Sequence, residues 1–152
     1  MGLSPNSVHA YVFGEHGDSS FIPWSITNIA GSPWEEYCAD QNHADIDEDE
    51  IIDEVRKAGA EVIKRKGATF YAIAMTVNKI CDSIPRDTNN IMTISSLVPN
   101  RYGISDVCLS LPCVIGSDGI GREVFPKLTE VEEEKLRESA KALRSVIDQL
   151  EF

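Results

Sequence analysis

Positive charge is what this chain has least of. Fourteen Lys and Arg stand against twenty-five Asp and Glu, a formal net charge of −11 at pH 7. That balance argues against binding a nucleic-acid backbone or an anionic membrane surface, both of which select for basic patches. Long apolar runs are missing too: no stretch approaches the roughly 18 apolar residues that a bilayer span needs. The opening M-G-L-S-P-N-S lacks the charged and apolar regions of a secretory leader. These absences lead us to expect a protein of the cytoplasm. Cysteine is sparse, and Cys38, Cys81, Cys108 and Cys113 include no C-x-x-C pair. The last three sit in apolar stretches, so reduced thiols acting as small hydrophobes are expected. Internal repeats and domain linkers are also lacking. A chain of 152 residues, 42% hydrophobic and 26% charged, suits one domain with its own core, spanning 1–152.

What is present reads as an α+β pattern. Val8 to Phe13 is β-branched and aromatic enough for a strand, and Phe21 to Ile29 reads as a second extended segment broken by Gly31-Ser32-Pro33. Trp34 to Asp49 reads as an acidic loop. Apolar residues at Ile51, Ile52, Val55, Ala58, Val62 and Ile63 then follow helical spacing, with acids crowding the start, Lys64-Arg65-Lys66 at the end and Gly67 as the stop. Thr69 to about Ser83 is apolar nearly all round, which predicts a helix buried in the domain or against a partner. Strands are expected at Ile91–Val98, Val107–Ile115 and Ile120–Phe125, the last two joined by a Ser117-Asp118-Gly119 turn. Thr129 and Glu132 have capping-box spacing for a final helix with the stripe Leu136, Ala140, Leu143, Ile147 and Leu150. Two strands, two helices, three strands and one helix imply antiparallel pairing packed with long helices.

The stretch G-E-H-G-D, Gly14 to Asp18, stands out chemically. The two glycines allow a tight turn and close approach of a ligand, and an imidazole is the side chain type that can both take and give a proton in acid–base work. The plain alternative is a histidine in a polar surface turn. Ser19, His16 and Asp18 are too close in sequence to line up as a hydrolase triad. His9, His16, His43 and Cys38 lack compact ligand spacing, so no metal site is expected. The run from Asp45 to Glu50 has Glu50 where a calcium loop needs glycine.

Five segments carry a resemblance. S-V-H-A-Y-V-F-G-E-H-G-D-S-S-F-I-P-W-S-I-T-N-I-A-G is similar to the catalytic-histidine segment of L-lactate dehydrogenases, in the lactate/malate dehydrogenase family. K-G-A-T-F-Y-A-I-A-M resembles that family's substrate-pocket helix, and V-C-L-S-L-P-C-V-I-G with S-D-G-I-G-R-E-V and the closing helix extends the likeness over the chain. The resemblance implies an oxidoreductase of carboxylic acid metabolism, part of glycolysis, that interconverts (S)-lactate and pyruvate with NAD. It makes His16 the general acid/base, Thr69 a lining residue of the substrate site and Ile73 either a nicotinamide contact or plain core. At the position of His9, bacterial relatives bind an activating sugar bisphosphate across a subunit interface, although a histidine also occurs there in unregulated relatives. Glu15 points to lactate over malate, whose enzymes typically carry G-G-H-G. A homo-oligomer is also implied.

The chain departs from the family in one large respect. Nothing in it resembles G-x-G-x-x-G after a strand, so no Rossmann half is present. The residues before His16 contain no Asp to orient it and no Arg to grip a substrate carboxylate. The expectation is therefore a C-terminal substrate-binding domain with an artificial start at Met1, inactive alone and completed by an N-terminal dinucleotide-binding domain. Open alternatives are malate or another 2-hydroxy acid as substrate, a non-catalytic module that kept the fold, and, more remotely, a hydrolase.

Overall fold

The computed structural model describes residues 2–40 and 46–150. His43 and Asp45, named above as metal and calcium candidates, lie outside the described residues. The chain orders as β1 (Val8–His9), β2 (Asn28–Ile29), β3 (Ser32–Pro33), α1 (Trp34–Asp40), α2 (Glu48–Lys66), α3 (Tyr71–Ser83), β4 (Asn90–Leu97), β5 (Cys108–Gly116), β6 (Gly119–Glu123) and α4 (Glu130–Ile147).

The main sheet is antiparallel in the order β4-β5-β6, with Asn90 opposite Ile115 and Leu97 opposite Cys108. Side chains alternate across a strand, so Leu109 and Leu111 share one face of β5 and Ser110 lies on the other. The first face is sealed by α4 and by the segment around Phe13 and Phe21. Leu109, Leu111, Leu136 and Phe13 are all buried in that cluster. Each such side chain contributes about 1.5–3 kcal/mol by leaving water. Helix α4 starts as its sequence predicts: the Thr129 side chain accepts the Glu132 amide, and the Glu132 carboxylate accepts the Thr129 amide at 2.8 Å.

Helix α2 is likewise set by its ends. The Asp47 carboxylate accepts the amides of Asp49 and Glu50, and Gly67, at φ 78°, closes the last turn onto the Ile63 carbonyl at 2.7 Å. Other expectations need correction. The stretch after Pro33 is not all loop. Trp34–Asp40 is helical, because Trp34 and Cys38 fall one turn apart and bury against Ile29, while Trp24 stacks on Trp34 with ring centroids 4.8 Å apart. Between Val8 and Phe13 only β1 joins a sheet, and the second segment bends through a 3₁₀ turn at Trp24–Ile26 behind Pro23. Ala30 and Gly31, both at positive φ, turn β2 back onto β3 rather than ending the pairing.

For α3, expected to be buried in the domain or against a partner, the structure rules out the domain. The helix begins at Tyr71, two residues after Thr69, and Ser83 is its one buried residue. Ile73 is 55% exposed and Met75 75%. No described layer of the chain covers this helix, so its apolar character does not translate into burial. Cys81 on α3 and Cys108 at the start of β5 are exposed, whereas Cys38 and Cys113 are buried; all four are free thiols. Burial, and secondarily the Glu48 charge, pushes the Cys38 thiol above its ordinary pKa, which keeps it protonated and inert. Leu150 also stays exposed, beyond the end of α4. Among the described residues no helix is long and apolar enough to cross a membrane.

Candidate active site

Two bridges hold the histidine turn. Phe13 and Phe21 exchange backbone hydrogen bonds of 2.8 and 3.0 Å, closing the loop at its base. Gly14 then pairs with Ser110 at the middle of β5: the Ser110 amide donates to the Gly14 carbonyl at 2.8 Å, and the Gly14 amide returns a bond at 3.3 Å. Gly14 takes φ 101°, open only to glycine without strain, and a Cβ there would stand 2.7 Å from the Ser139 hydroxyl. Gly17 serves differently from the sequence expectation. The space beside it holds the Glu15 carboxylate, 2.5 Å from where a Cβ would sit, rather than room kept for a ligand.

His16 projects from the tip of this turn and is exposed. The polar groups around it are engaged with one another. The Glu15 carboxylate accepts the Ser19 amide at 3.0 Å and its hydroxyl at 2.9 Å. The Ser20 hydroxyl donates to the Gly17 carbonyl at 2.8 Å. Among the described residues the imidazole makes no hydrogen bond, and it is exposed.

The turn opens onto a cavity of about 670 Å³ between α2 and the second face of the sheet. Both His16 and Thr69 line it, together with Thr93 of β4, Ser110 of β5 and the α2 stripe Val55, Gly59 and Ile63. The loop after Gly67 carries Thr69 to this wall. Ile73 and His9 are not among the lining residues: Ile73 lies a turn further on, on the open face of α3, and His9 sits on β1 opposite Asn28. Arg56 is a lining residue that sequence reasoning missed. Its guanidinium donates to the Ser20 carbonyl through Nε at 3.0 Å and again through an Nη, and it pairs with Asp53 at 3.6 Å. Its contact with the Ser20 carbonyl spans 36 positions of sequence, which helical spacing does not signal. Among the described residues no group of three His, Cys, Asp or Glu could hold a metal ion.

Fold and site together define an α+β domain in which a glycine-bounded turn presents one histidine over a cleft between a helix and an antiparallel sheet. Residues 1–151 match the profile of the lactate/malate dehydrogenase alpha/beta C-terminal domain, and the chain belongs to that family. It is 43% identical over 152 residues to the L-lactate dehydrogenase of Synechococcus sp. (strain JA-3-3Ab), covering 100% of this chain and 49% of that one. The L-lactate dehydrogenase of Acetivibrio thermocellus is 42% identical over 99% of the chain. Among solved structures, an L-lactate dehydrogenase from Clostridium thermocellum superposes with a TM-score of 0.88 at 38% identity, covering 99% of this chain and 49% of that one. The malate dehydrogenase of Aeropyrum pernix superposes with a TM-score of 0.87 at 29% identity, covering 99% and 48%. The chain spans about half the length of the relatives it matches.

Proposed function

We propose that residues 1–152 are the C-terminal, substrate-binding domain of an NAD-dependent L-lactate dehydrogenase, and that this domain alone does not turn over. The observation that carries the reading is that His16 and Thr69, far apart in sequence, line one cavity. His16 takes the hydroxyl proton of the 2-hydroxy acid as the carbonyl forms, and returns it to the oxygen of the 2-oxo acid in reverse. Thr69 shapes the wall that meets the substrate side chain. The relatives' name and Glu15 support lactate over malate; in this turn Glu15 acts by folding onto Ser19.

NAD, when bound, supplies the two-electron acceptor. Ile73, apolar and 55% exposed on the open face of α3, fits a side chain that would pack on the nicotinamide ring. The chain offers no glycine-rich phosphate cradle, so an N-terminal dinucleotide-binding domain holds the remainder. That domain also brings the carboxylate that orients the outward-facing imidazole and the arginine for the substrate carboxylate. The uncovered apolar face of α3 is where that domain or another subunit of a homo-oligomer packs. His9 lies outside the cavity and takes no part in the chemistry; its regulatory role is tested by titrating a sugar bisphosphate.

The test follows NADH absorbance with pyruvate and then oxaloacetate, using this chain alone and the chain joined to its dinucleotide-binding half. Only the joined protein should oxidise NADH, with pyruvate preferred, and His16→Gln should lower kcat by about 10²–10⁴-fold. Turnover by the short chain overturns the mechanism. A preference for oxaloacetate moves the assignment to malate.

A further inference from the structure

We propose that Ser139, in the middle of α4, is a positioning residue that sets the orientation of His16. The proposal rests on the reading of His16 as the acid–base group. Ser139 is 0% exposed, and its hydroxyl's partners among the described residues lie in the histidine turn. It accepts the amide hydrogen of Glu15, the residue preceding His16, at 2.7 Å. The Ser139 and Ser19 hydroxyls are hydrogen-bonded at 3.1 Å, and Ser19 donates both its amide and its hydroxyl to the Glu15 carboxylate. A ring results: Glu15 amide, Ser139 hydroxyl, Ser19 hydroxyl, Glu15 carboxylate. It ties both ends of the stretch that contains His16 to one rigid point on a helix.

Two further observations separate this from ordinary packing. Ser139 is fully buried on a helix whose Leu136 and Ala140 belong to the core, where alanine would suit the helix better than a hydroxyl that must be satisfied. The same face of α4 holds the segment again two turns earlier. There the Glu132 carboxylate accepts the Ser25 amide at 3.0 Å and its hydroxyl at 2.5 Å, and Leu136 is buried between the two anchors. Helix α4 is thus a splint along Gly14 to Ser25. Among the described residues the His16 imidazole makes no hydrogen bond, so its direction depends on the backbone of the turn, and Ser139 holds the amide of the residue just before it.

A displacement of about 1 Å in a reacting group can cost on the order of 10²-fold in rate. In the joined enzyme, Ser139→Ala should lower kcat by about 10- to 100-fold with little change in the KM for NADH, and Ser139→Thr should restore most of the loss. In the present chain, Ser139→Ala should raise the exchange rate of the Glu15 amide and the NMR-measured mobility of the His16 ring. Ser19→Ala, which opens the ring but leaves the Glu15–Ser139 bond, should give a smaller effect in the same direction and serves if Ser139→Ala does not fold. A lower melting point with unchanged kcat and an equally ordered His16 ring would reduce Ser139 to a structural role and overturn the proposal. If the wild-type joined protein itself fails to oxidise NADH, the dehydrogenase reading falls, and the mobility of the His16 ring still decides for or against Ser139.

Discussion

The two faces of the main sheet have opposite fates. On one, Leu109 and Leu111 of β5 are sealed by Leu136 of α4 and by Phe13 and Phe21 beneath the histidine turn. On the other, α2 and α3 bring Val55, Ile63, Tyr71, Ile73, Met75 and Val77, an equally apolar set that stays open to solvent. Residue type does not separate the two groups. What separates them is whether the same chain supplies the second layer. The sealed face carries the turn and holds it still, and the other face is left open to solvent.

The sharpest way to break that comparison is to cut into the sealed side. Leu136→Ala should cost about 2–5 kcal/mol in urea unfolding, since the surrounding side chains cannot fully collapse into the hole. A cost below about 1 kcal/mol would mean that α4 is not the lid described. Gly14→Ala comes next, at about 1–3 kcal/mol, from its left-handed φ and the nearby Ser139 hydroxyl. A neutral result in thermal melting would show that the turn can move away from α4.

Glu132 sharpens the comparison through pH. Burial pushes this carboxyl's pKa up, but hydrogen bonds from the Ser25 and Thr129 side chains and amides outweigh it and hold the group below the ordinary carboxylate value. A folded pKa below the unfolded one gives stability that is present above the unfolded pKa, near 4.3. That stability is lost as pH falls through the folded value. Glu132→Gln should therefore cost about 1–2 kcal/mol at pH 7 and progressively less in acid. The same cost at pH 7 and pH 3 would show that the charge contributes nothing.

The smallest effect on folding belongs to the open side. Met75→Ser should change stability by less than about 0.5 kcal/mol while reducing hydrophobic-dye binding and self-association. A large loss of stability there would mean that α3 packs within the chain after all.

Much of this layout was legible before the structure. The capping box at Thr129 and Glu132, the stop at Gly67, the three strands from Asn90 onward and the turn around His16 each depend on residues within a few positions of one another. Helix α1 was missed because Trp34 and Cys38 make a stripe too short to register as periodic, and only contact with Ile29 and Trp24 reveals it. For α3 the spacing left open whether the chain itself or a partner covers it, and only the structure shows that the described part of the chain does not. An apolar helix specifies that something must cover it, not that the same chain will do so.

The sequence by itself determined the local conformations: where helices start and stop, which backbone positions need glycine, and that a histidine stands at the tip of a turn. These follow from steric and hydrogen-bonding preferences that act over about four residues. Only the tertiary structure decided that Thr69 shares a cavity with His16 and that Arg56 grips the Ser20 carbonyl. The same holds for Ser139, whose hydroxyl receives the Glu15 amide across 124 positions of sequence. Contacts of that span leave no periodicity or spacing to read, because the geometry that creates them exists only once α4 has packed against the sheet.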